Sequence, residues 1–135
     1  MTLTDTGPLV AMLDKGDSSH ARCTMALGSL SKPLVTTWPC VAETMHLVGK
    51  SIGHRAQDEL WDWIETGLVQ IHELSAGEMA RMRVLMAQYA DRPMDLADAS
   101  LVAAAESVGV KRVFTIDSDF LFYRLANTTT LRLVP

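Results

Sequence analysis

Six acidic side chains occupy positions where carboxylates could act together in chemistry. They are Asp5, Glu43, Asp95, Asp98, Asp117 and Asp119. Asp98 is the most informative of them because a helix with 3.6 residues per turn places it on one face with the apolar Leu101 and Val102. A carboxylate within an apolar stripe is costly to desolvate unless a cation or several hydrogen-bond donors meet it. This pattern favours a cluster of acids around a bound cation.

Asp95 has two interpretations from sequence alone. It precedes Asp98 by three residues, so the two side chains would lie side by side at the start of one helix. Alternatively, Asp95 is the N-cap of this helix and Asp98 lies in its first turn, where the helix dipole favours negative charge. Both interpretations stay open at this stage.

Glu43 falls in a predicted helix whose apolar stripe lies on the other face. The stripe consists of Val41, Met45, Val48 and Ile52. Periodicity alone does not bury Glu43, so a solvated glutamate is the competing interpretation. Glu43 and His46 also form the Glu-x-x-His pair of di-iron bundles, but such bundles need two copies and the chain has one.

Strands alternate with helices along the chain, with no hairpin signal. Strands are predicted at residues 2–5, 33–37, 68–74, 111–117 and 131–134, and helices at 8–13, 20–30, 38–51, 57–64, 75–90 and 94–106. Ser75 and Glu78 form a capping box at the start of the fifth helix. In the second helix, we expect Ala21, Met25 and Leu27 to point toward the core. The alternation predicts one α/β domain over residues 1–135, with a mostly parallel, doubly wound, five-stranded sheet and helices on both faces.

Two of the acids end predicted strands of this sheet. In doubly wound sheets, ligands bind beyond the carboxyl ends of the strands. Asp5 and Asp117 occupy such ends, and the helix of Asp98 leads directly into the strand of Asp117. We therefore expect the acids to share one rim, where like charges raise one another's pKa values unless a cation is present. Ligands that are all oxygens suit Mg²⁺ or Mn²⁺, with water completing the coordination.

The amino-acid composition indicates which kinds of partner and which cellular compartment suit the protein. The formal net charge of the 135 residues is −4. If the six acids serve one site, ten others remain against twelve Lys and Arg, which leaves a slightly basic surface compatible with nucleic acid binding. Cys23 and Cys40 lack redox-motif and zinc-finger spacing, which indicates reduced thiols. With no secretory signal and no membrane-spanning run, we expect a soluble cytoplasmic protein.

Four short motifs, in order, resemble those of the PIN-domain nucleases. They are residues 4–9 (TDTGPL), Glu43 in the helix after the second strand, residues 96–99 (LADA) and residues 115–120 (TIDSDF). The resemblance covers nearly the whole chain, and the short single-domain form is similar to bacterial VapC-type toxins of toxin–antitoxin pairs. It implies a PIN-like three-layer domain. It also implies a catalytic and metal-binding quartet of Asp5, Glu43, Asp98 and Asp117, auxiliary acids Asp95 and Asp119, and hydroxyl partners Thr6 and Thr115.

The resemblance implies a metal-dependent endoribonuclease that cleaves single-stranded RNA phosphodiesters with one or two Mg²⁺ or Mn²⁺ ions. Its substrate would be single-stranded or structured RNA, and a small antitoxin would insert a segment into the acidic groove. One alternative is a non-catalytic RNA-binding PIN domain. Another is an aspartyl phosphotransfer or phosphatase domain, although Asp5 lacks the Asp-x-Thr pattern of that phosphatase class.

The fourth predicted helix has an unusually wide apolar stripe. Leu60 and Ile64 form its centre, and Trp61 and Trp63 flank it on opposite margins. A stripe this wide exceeds what one core face needs. We therefore expect one tryptophan to join a homodimer or partner surface.

Overall fold

The computed structural model describes all residues from Met1 to Pro135. The strands are β1 Thr2–Thr4, β2 Leu34–Thr37, β3 Val69–His72, β4 Arg112–Phe114 and β5 Arg132–Val134. The helices are α1 Thr6–Leu13, α2 His20–Leu27, α3 Trp38–Ser51, α4 His54–Glu65, α5 Ala76–Gln88 and α6 Leu96–Val108, with a 3₁₀ turn at Ser118–Leu121. None of the helices has the length and apolar character needed to cross a lipid bilayer.

The five strands form one sheet in the order β3-β2-β1-β4-β5, and every neighbouring pair is parallel. This confirms the predicted doubly wound α/β architecture. The strand order reverses at β1, which has β2 on one side and β4 on the other. The carboxyl ends of β1 and β4 therefore flank the position where such sheets bind ligands.

Strands β1 and β4 end earlier than the sequence predicts. Asp5 and Asp117 follow the strands instead of ending them, because each side chain accepts a hydrogen bond from a backbone amide of the next helical turn. Asp5 is the N-cap of α1, and Asp117 caps the 3₁₀ turn. The capping bonds draw the backbone out of the sheet while leaving both acids at its edge.

The register of the strands separates the sheet into two buried faces. Leu3 is opposite both Val35 and Val113, and these three side chains pack with α5 and α6. On the other face, Leu34 is opposite Val69, and both belong to a cluster with residues of α1 and α2. Helices on both faces give the three-layer arrangement.

Helix α6 is the most deeply buried helix. Its residues from Ala97 to Ala105 are all buried, and the many alanines and Ser100 let neighbouring elements approach closely. The helix ends at Gly109, whose φ of 70° lies in the left-handed region that favours glycine. Asp98 is thus held on a helix with little freedom to move.

The expected orientation of α2 is wrong in part. Met25 is 81 % exposed and Ala21 is exposed, whereas Cys23 is fully buried and Leu27 is half-buried. Helix α2 ends at Leu27, sooner than predicted, and a helix of two turns presents only a narrow stripe to the core. That stripe is centred on Cys23.

The two tryptophans of α4 differ in environment. Trp63 is half-buried and packs against two of the hydrophobic clusters. Trp61 is 43 % exposed. The wide stripe therefore divides into an inward and an outward side.

Candidate active site

A cavity of about 420 Å³ opens at the carboxyl edge of the sheet, where β1 and β4 end. Its lining consists of Asp5, Thr6, Gly7, Glu43, Leu47, Asp95, Asp98, Ile116, Asp117 and Ser118. Five of the six acids expected from the sequence thus line one cavity, which we call the acidic cavity.

Asp5 is the most firmly held of these acids. Its Oδ1 accepts a hydrogen bond from the Thr6 amide at 2.7 Å, and its Oδ2 accepts one from the Thr115 hydroxyl at 2.8 Å. Its exposed fraction is 6 %. The pKa of Asp5 is raised to about 6, mainly by burial and to a smaller extent by the charges of Asp117 and Glu43, against the lowering effect of the two hydrogen bonds.

Glu43 reaches the cavity from the first half of α3. The Thr6 hydroxyl donates to Glu43 Oε2 at 3.0 Å, and the Glu43 side chain is half-buried. The interpretation of Glu43 as a fully solvated residue therefore does not hold. Thr6 links two of the acids, since its amide bonds to Asp5 and its hydroxyl to Glu43.

Both interpretations of Asp95 apply at once. Asp95 is the N-cap of α6, accepting a hydrogen bond from the Asp98 amide at 2.8 Å, and it also lines the acidic cavity. Asp98 is 8 % exposed. The pKa of Asp98 is raised to about 7, mainly by burial and also by the charges of Asp95, Asp5 and Asp117, against the lowering effect of a hydrogen bond from Tyr123. The acids of the cavity thus raise one another's pKa values in addition to the effect of burial.

Sequence reasoning missed Tyr123. Its hydroxyl donates to Asp98 Oδ2 at 2.8 Å, and its ring is fully buried, packing edge-to-face on Tyr89 and Phe120. Burial and the nearby Asp98 carboxylate raise the pKa of Tyr123, so the hydroxyl remains a donor. The contact joins residues 25 positions apart on different elements, and no local pattern in the sequence indicates it.

Asp117 and Asp119 have different surroundings. The Asp117 amide donates to the Thr115 hydroxyl at 3.0 Å, and Asp117 Oδ1 accepts from the Asp119 amide at 2.9 Å. Asp119 does not line the cavity; its Oδ1 lies 3.6 Å from Nη1 of Arg92. Arg92 in turn stacks on the ring of Phe122. Asp119 therefore takes part in a surface ion pair beside the site.

The donor atoms of the acidic cavity fit a hard cation. Glu43, Asp98 and Asp117 each use one oxygen for a hydrogen bond within the protein and leave the other without a protein partner. No three Asp, Glu, His or Cys side chains lie close enough together to hold a metal ion by themselves. Mg²⁺ keeps several waters and commonly binds through one or two carboxylates plus substrate phosphates, so an open set of oxygens suits it.

Comparison with known proteins shows which family has this arrangement. A family model described as PIN domain matches residues 2–127. The chain belongs to the PIN domain family. The match covers all the residues of the acidic cavity together with Tyr123, and it confirms the family resemblance of the four sequence motifs.

This PIN domain is similar to Ribonuclease VapC26 from Mycobacterium tuberculosis (strain ATCC 25618 / H37Rv). The two are 26 % identical over 113 residues, which is 84 % of each chain. The similarity extends through most of both proteins and supports a VapC-type PIN domain.

Solved structures share the fold. The crystal structure of Mycobacterium tuberculosis VapC20, described as a sarcin–ricin loop cleaving toxin, matches with a TM-score of 0.86 and 18 % identity over 100 % of both chains. A toxin–antitoxin complex from Klebsiella pneumoniae matches with a TM-score of 0.67 and 19 % identity, over 89 % of this chain and 90 % of that one. FitAcB from Neisseria gonorrhoeae matches with a TM-score of 0.59 and 22 % identity, over 87 % and 88 %. At these identities the likeness establishes the fold.

Proposed function

We propose that this PIN domain, as a single nuclease domain over residues 1–135, is a metal-dependent endoribonuclease that cleaves single-stranded or structured RNA. The observation that carries the proposal is the convergence of Asp5, Glu43, Asp98 and Asp117 on one cavity at the reversal of strand order. The similarity of the chain to a VapC ribonuclease supports RNA as the substrate.

The carboxylates of the cavity would bind one or two Mg²⁺ or Mn²⁺ ions. Asp5 and Asp98 would be the central ligands, and Glu43 and Asp117 would hold a second ion or orient the attacking water. A bound divalent cation supplies a more acidic water and stabilises negative charge on the phosphate and the leaving oxygen. Asp95 would add negative charge to the lining of the cavity.

The chain's own groups hold these carboxylates in position. Thr115 donates to Asp5, and Tyr123 donates to Asp98 Oδ2, which leaves Oδ1 of Asp98 free to face the cavity contents. An ionised carboxylate oxygen can accept the proton of the attacking water as the phosphodiester is hydrolysed. Because hydrogen bonds from the protein hold these carboxylates in place, their side chains need little rearrangement during the reaction.

The direct experiment compares two Asp→Asn variants. Asp5→Asn removes a carboxylate of the acidic cavity. The matched control Asp17→Asn alters an aspartate that also accepts a backbone hydrogen bond, from the Ser19 amide, but lies outside the cavity. Each purified protein is incubated with RNA in Mg²⁺, in Mn²⁺ and in EDTA, and the new RNA ends are sequenced.

We expect the parent and Asp17→Asn to cleave only with metal, and Asp5→Asn to lose on the order of 100-fold or more in rate. Folding of each variant is checked by circular dichroism. A folded Asp5→Asn protein that cleaves as fast as the parent would refute the assignment. RNA binding in EDTA without any cleavage in Mg²⁺ or Mn²⁺ would favour the non-catalytic RNA-binding PIN domain.

We further infer that the protein is the toxin of a toxin–antitoxin pair and acts in the cytoplasm, where its RNA substrates are. One of the structures with this fold is a toxin–antitoxin complex. The acidic cavity offers five carboxylates to a basic side chain, so a small antitoxin could neutralise it by inserting a positively charged segment. Co-expression with the product of an adjacent short reading frame should abolish RNA cleavage.

We infer a homodimer from the outward side of α4, where Trp61 is 43 % exposed. Exposed tryptophans are enriched in protein interfaces. Light scattering on the parent and on Trp61→Ser measures the oligomeric state. A parent that is monomeric at all concentrations would contradict the homodimer.

A further inference from the structure

Two cavities that share Arg112 lie beside β4 and β5. The first is at the amino ends of these strands, at the edge of the sheet opposite the acidic cavity, and the second lies between α2 and β5. One has a volume of about 500 Å³ and is lined by Lys111, Arg112 and Arg132, together with Thr129 and Thr130. The other, of about 710 Å³, shares Arg112 and adds Arg22 from α2. No aspartate or glutamate side chain lines either cavity. We call Arg22, Lys111, Arg112 and Arg132 the basic surface.

The basic surface brings like charges together without a counter-ion. Arg112 and Arg132 are register partners in β4 and β5, so their side chains leave the same face of neighbouring strands about 4.8 Å apart. Two positive charges on neighbouring strands repel each other. The three ion pairs of the structure are His72–Glu78, Arg81–Glu106 and Arg92–Asp119, and none includes a residue of the basic surface. An anion from outside the chain would relieve this repulsion.

No other part of the molecule has a comparable group of cations. Lys32 and Arg124 donate to backbone carbonyls. The other cations outside ion pairs are dispersed over the α1–α2 connection, α3, α4 and α5; they are Lys15, Lys50, Arg55 and Arg83. Of the ten lysines and arginines without an acidic partner, four therefore lie around two cavities that share Arg112.

The acidic cavity makes such a surface necessary for RNA binding. Its carboxylates repel a phosphate backbone, while affinity for RNA comes largely from cations that neutralise phosphates. Asp117 follows Arg112 by five positions, which limits the distance between their Cα atoms to about 17 Å. A short RNA segment is long enough to contact both edges of the sheet.

We propose that the basic surface binds the phosphate backbone of the RNA substrate away from the bond that is cut. This inference rests on the proposed nuclease function. The side chains lining the two cavities are cationic, hydroxyl or aliphatic, and none is aromatic. Without a ring on which bases could stack, the contacts are to phosphates and independent of base sequence.

The test replaces exposed cations so that the fold is preserved. Lys111→Gln/Arg132→Gln removes two charges from the basic surface, and both side chains are exposed. The matched control Lys50→Gln/Arg83→Gln removes one lysine and one arginine that are also exposed but lie on α3 and α5. Binding of a random-sequence RNA oligonucleotide is measured by fluorescence anisotropy in EDTA, at several salt concentrations.

We expect the slope of log K against log salt concentration to become less steep by about 1.4 in Lys111→Gln/Arg132→Gln, because two phosphate contacts to single-stranded RNA are lost. The control should keep the parent's slope. With Mg²⁺, the basic-surface variant should show a raised KM for RNA cleavage and an unchanged kcat, since the lost contacts are far from the reacting phosphate.

The outcomes separate the two proposals. If the parent cleaves RNA and the two double variants have equal slopes, the basic surface does not bind RNA and this inference fails while the nuclease proposal stands. If the parent neither binds nor cleaves RNA, the nuclease proposal itself fails. If poly-glutamate loses affinity for Lys111→Gln/Arg132→Gln while RNA binding is unchanged, the surface binds an acidic protein segment, which also overturns the inference.

Discussion

The charged side chains at the two edges of the sheet differ in how firmly the protein holds them. At the carboxyl edge, Asp5, Asp98 and Asp117 are each held by at least one hydrogen bond from the protein. At the amino edge, Arg112 and Arg132 face each other without an acidic partner. Groups that perform chemistry need fixed positions, whereas groups that attract a flexible polyanion can remain mobile. The difference separates a proposed reaction centre from a proposed docking surface within one small fold.

Among the substitutions that test this difference between the two edges, we expect Asp98→Asn to have the largest effect on RNA cleavage. Asparagine can still accept the hydrogen bond from Tyr123, but it removes a charge that the buried site tolerates poorly. We expect RNA cleavage to fall on the order of 100-fold or more, while the metal-free variant becomes more stable than the parent at pH 8. Cleavage rates and thermal melting measure the two effects. If both activity and stability fell, the carboxylate would be part of the scaffold instead of the reaction centre.

The pH dependence of stability should differ from that of a protein with surface carboxylates only. Since burial raises the pKa of Asp5 from 3.8 to about 6, its contribution to stability is complete below pH 3.8 and is lost as the pH rises through 6. For Asp5 this loss amounts to about 3 kcal/mol. Asp98, whose pKa is about 7, acts in the same direction.

Metal-free protein should therefore melt at a lower temperature at pH 8 than at pH 5, and Mg²⁺ should raise the melting temperature more at pH 8. Asp98→Asn should reduce this pH dependence, which makes it the internal control. A melting temperature independent of pH between 5 and 8 in EDTA would contradict the raised pKa values.

A smaller effect is expected from Tyr123→Phe, which removes the hydrogen bond to Asp98 but keeps the ring. We expect cleavage to fall about 10- to 100-fold, as for other groups that orient a metal ligand. The acidic limb of the pH–rate profile should move to higher pH, because the Tyr123 hydrogen bond lowers the pKa of Asp98. Tyr89→Phe is the matched control, since the Tyr89 hydroxyl bonds to the Arg124 amide instead of a carboxylate. Equal pH–rate profiles for the two variants would reduce Tyr123 to a packing residue.

The smallest effects should separate the two roles of Asp95. Asp95→Ser keeps an N-cap oxygen for the Asp98 amide but removes the charge, whereas Asp95→Ala removes both. We expect Asp95→Ala to lose about 1 kcal/mol of unfolding free energy and Asp95→Ser to lose less than half of that. Both should show the same few-fold change in cleavage if only the charge serves the site. Chemical denaturation and initial rates provide the comparison.

The sequence predicted the acidic edge because its position depends on topology. Asp5 and Asp117 follow parallel strands, and any doubly wound sheet brings such ends together. The burial of Asp98 could likewise be inferred from its apolar neighbours on α6. These features follow from chain order and helical period, which are visible in one sequence.

Other features depend on three-dimensional packing and have no local pattern. The bond from Tyr123 to Asp98 and the pairing of Arg112 with Arg132 arise only once the strands and helices are assembled. The capping bonds of Asp5 and Asp117 shorten β1 and β4, which strand propensity does not reveal. Met25 has the spacing of a core residue but is exposed, because α2 ends before that face meets a neighbour.

The hydrogen bond from Thr115 to Asp5 joins residues separated by 110 positions. The ribosome therefore adds Asp5 to the chain 110 residues before it adds Thr115. Contacts between such distant segments form late in folding. A growing chain therefore cannot complete the acidic cavity until Thr115 and Asp117 have left the ribosome.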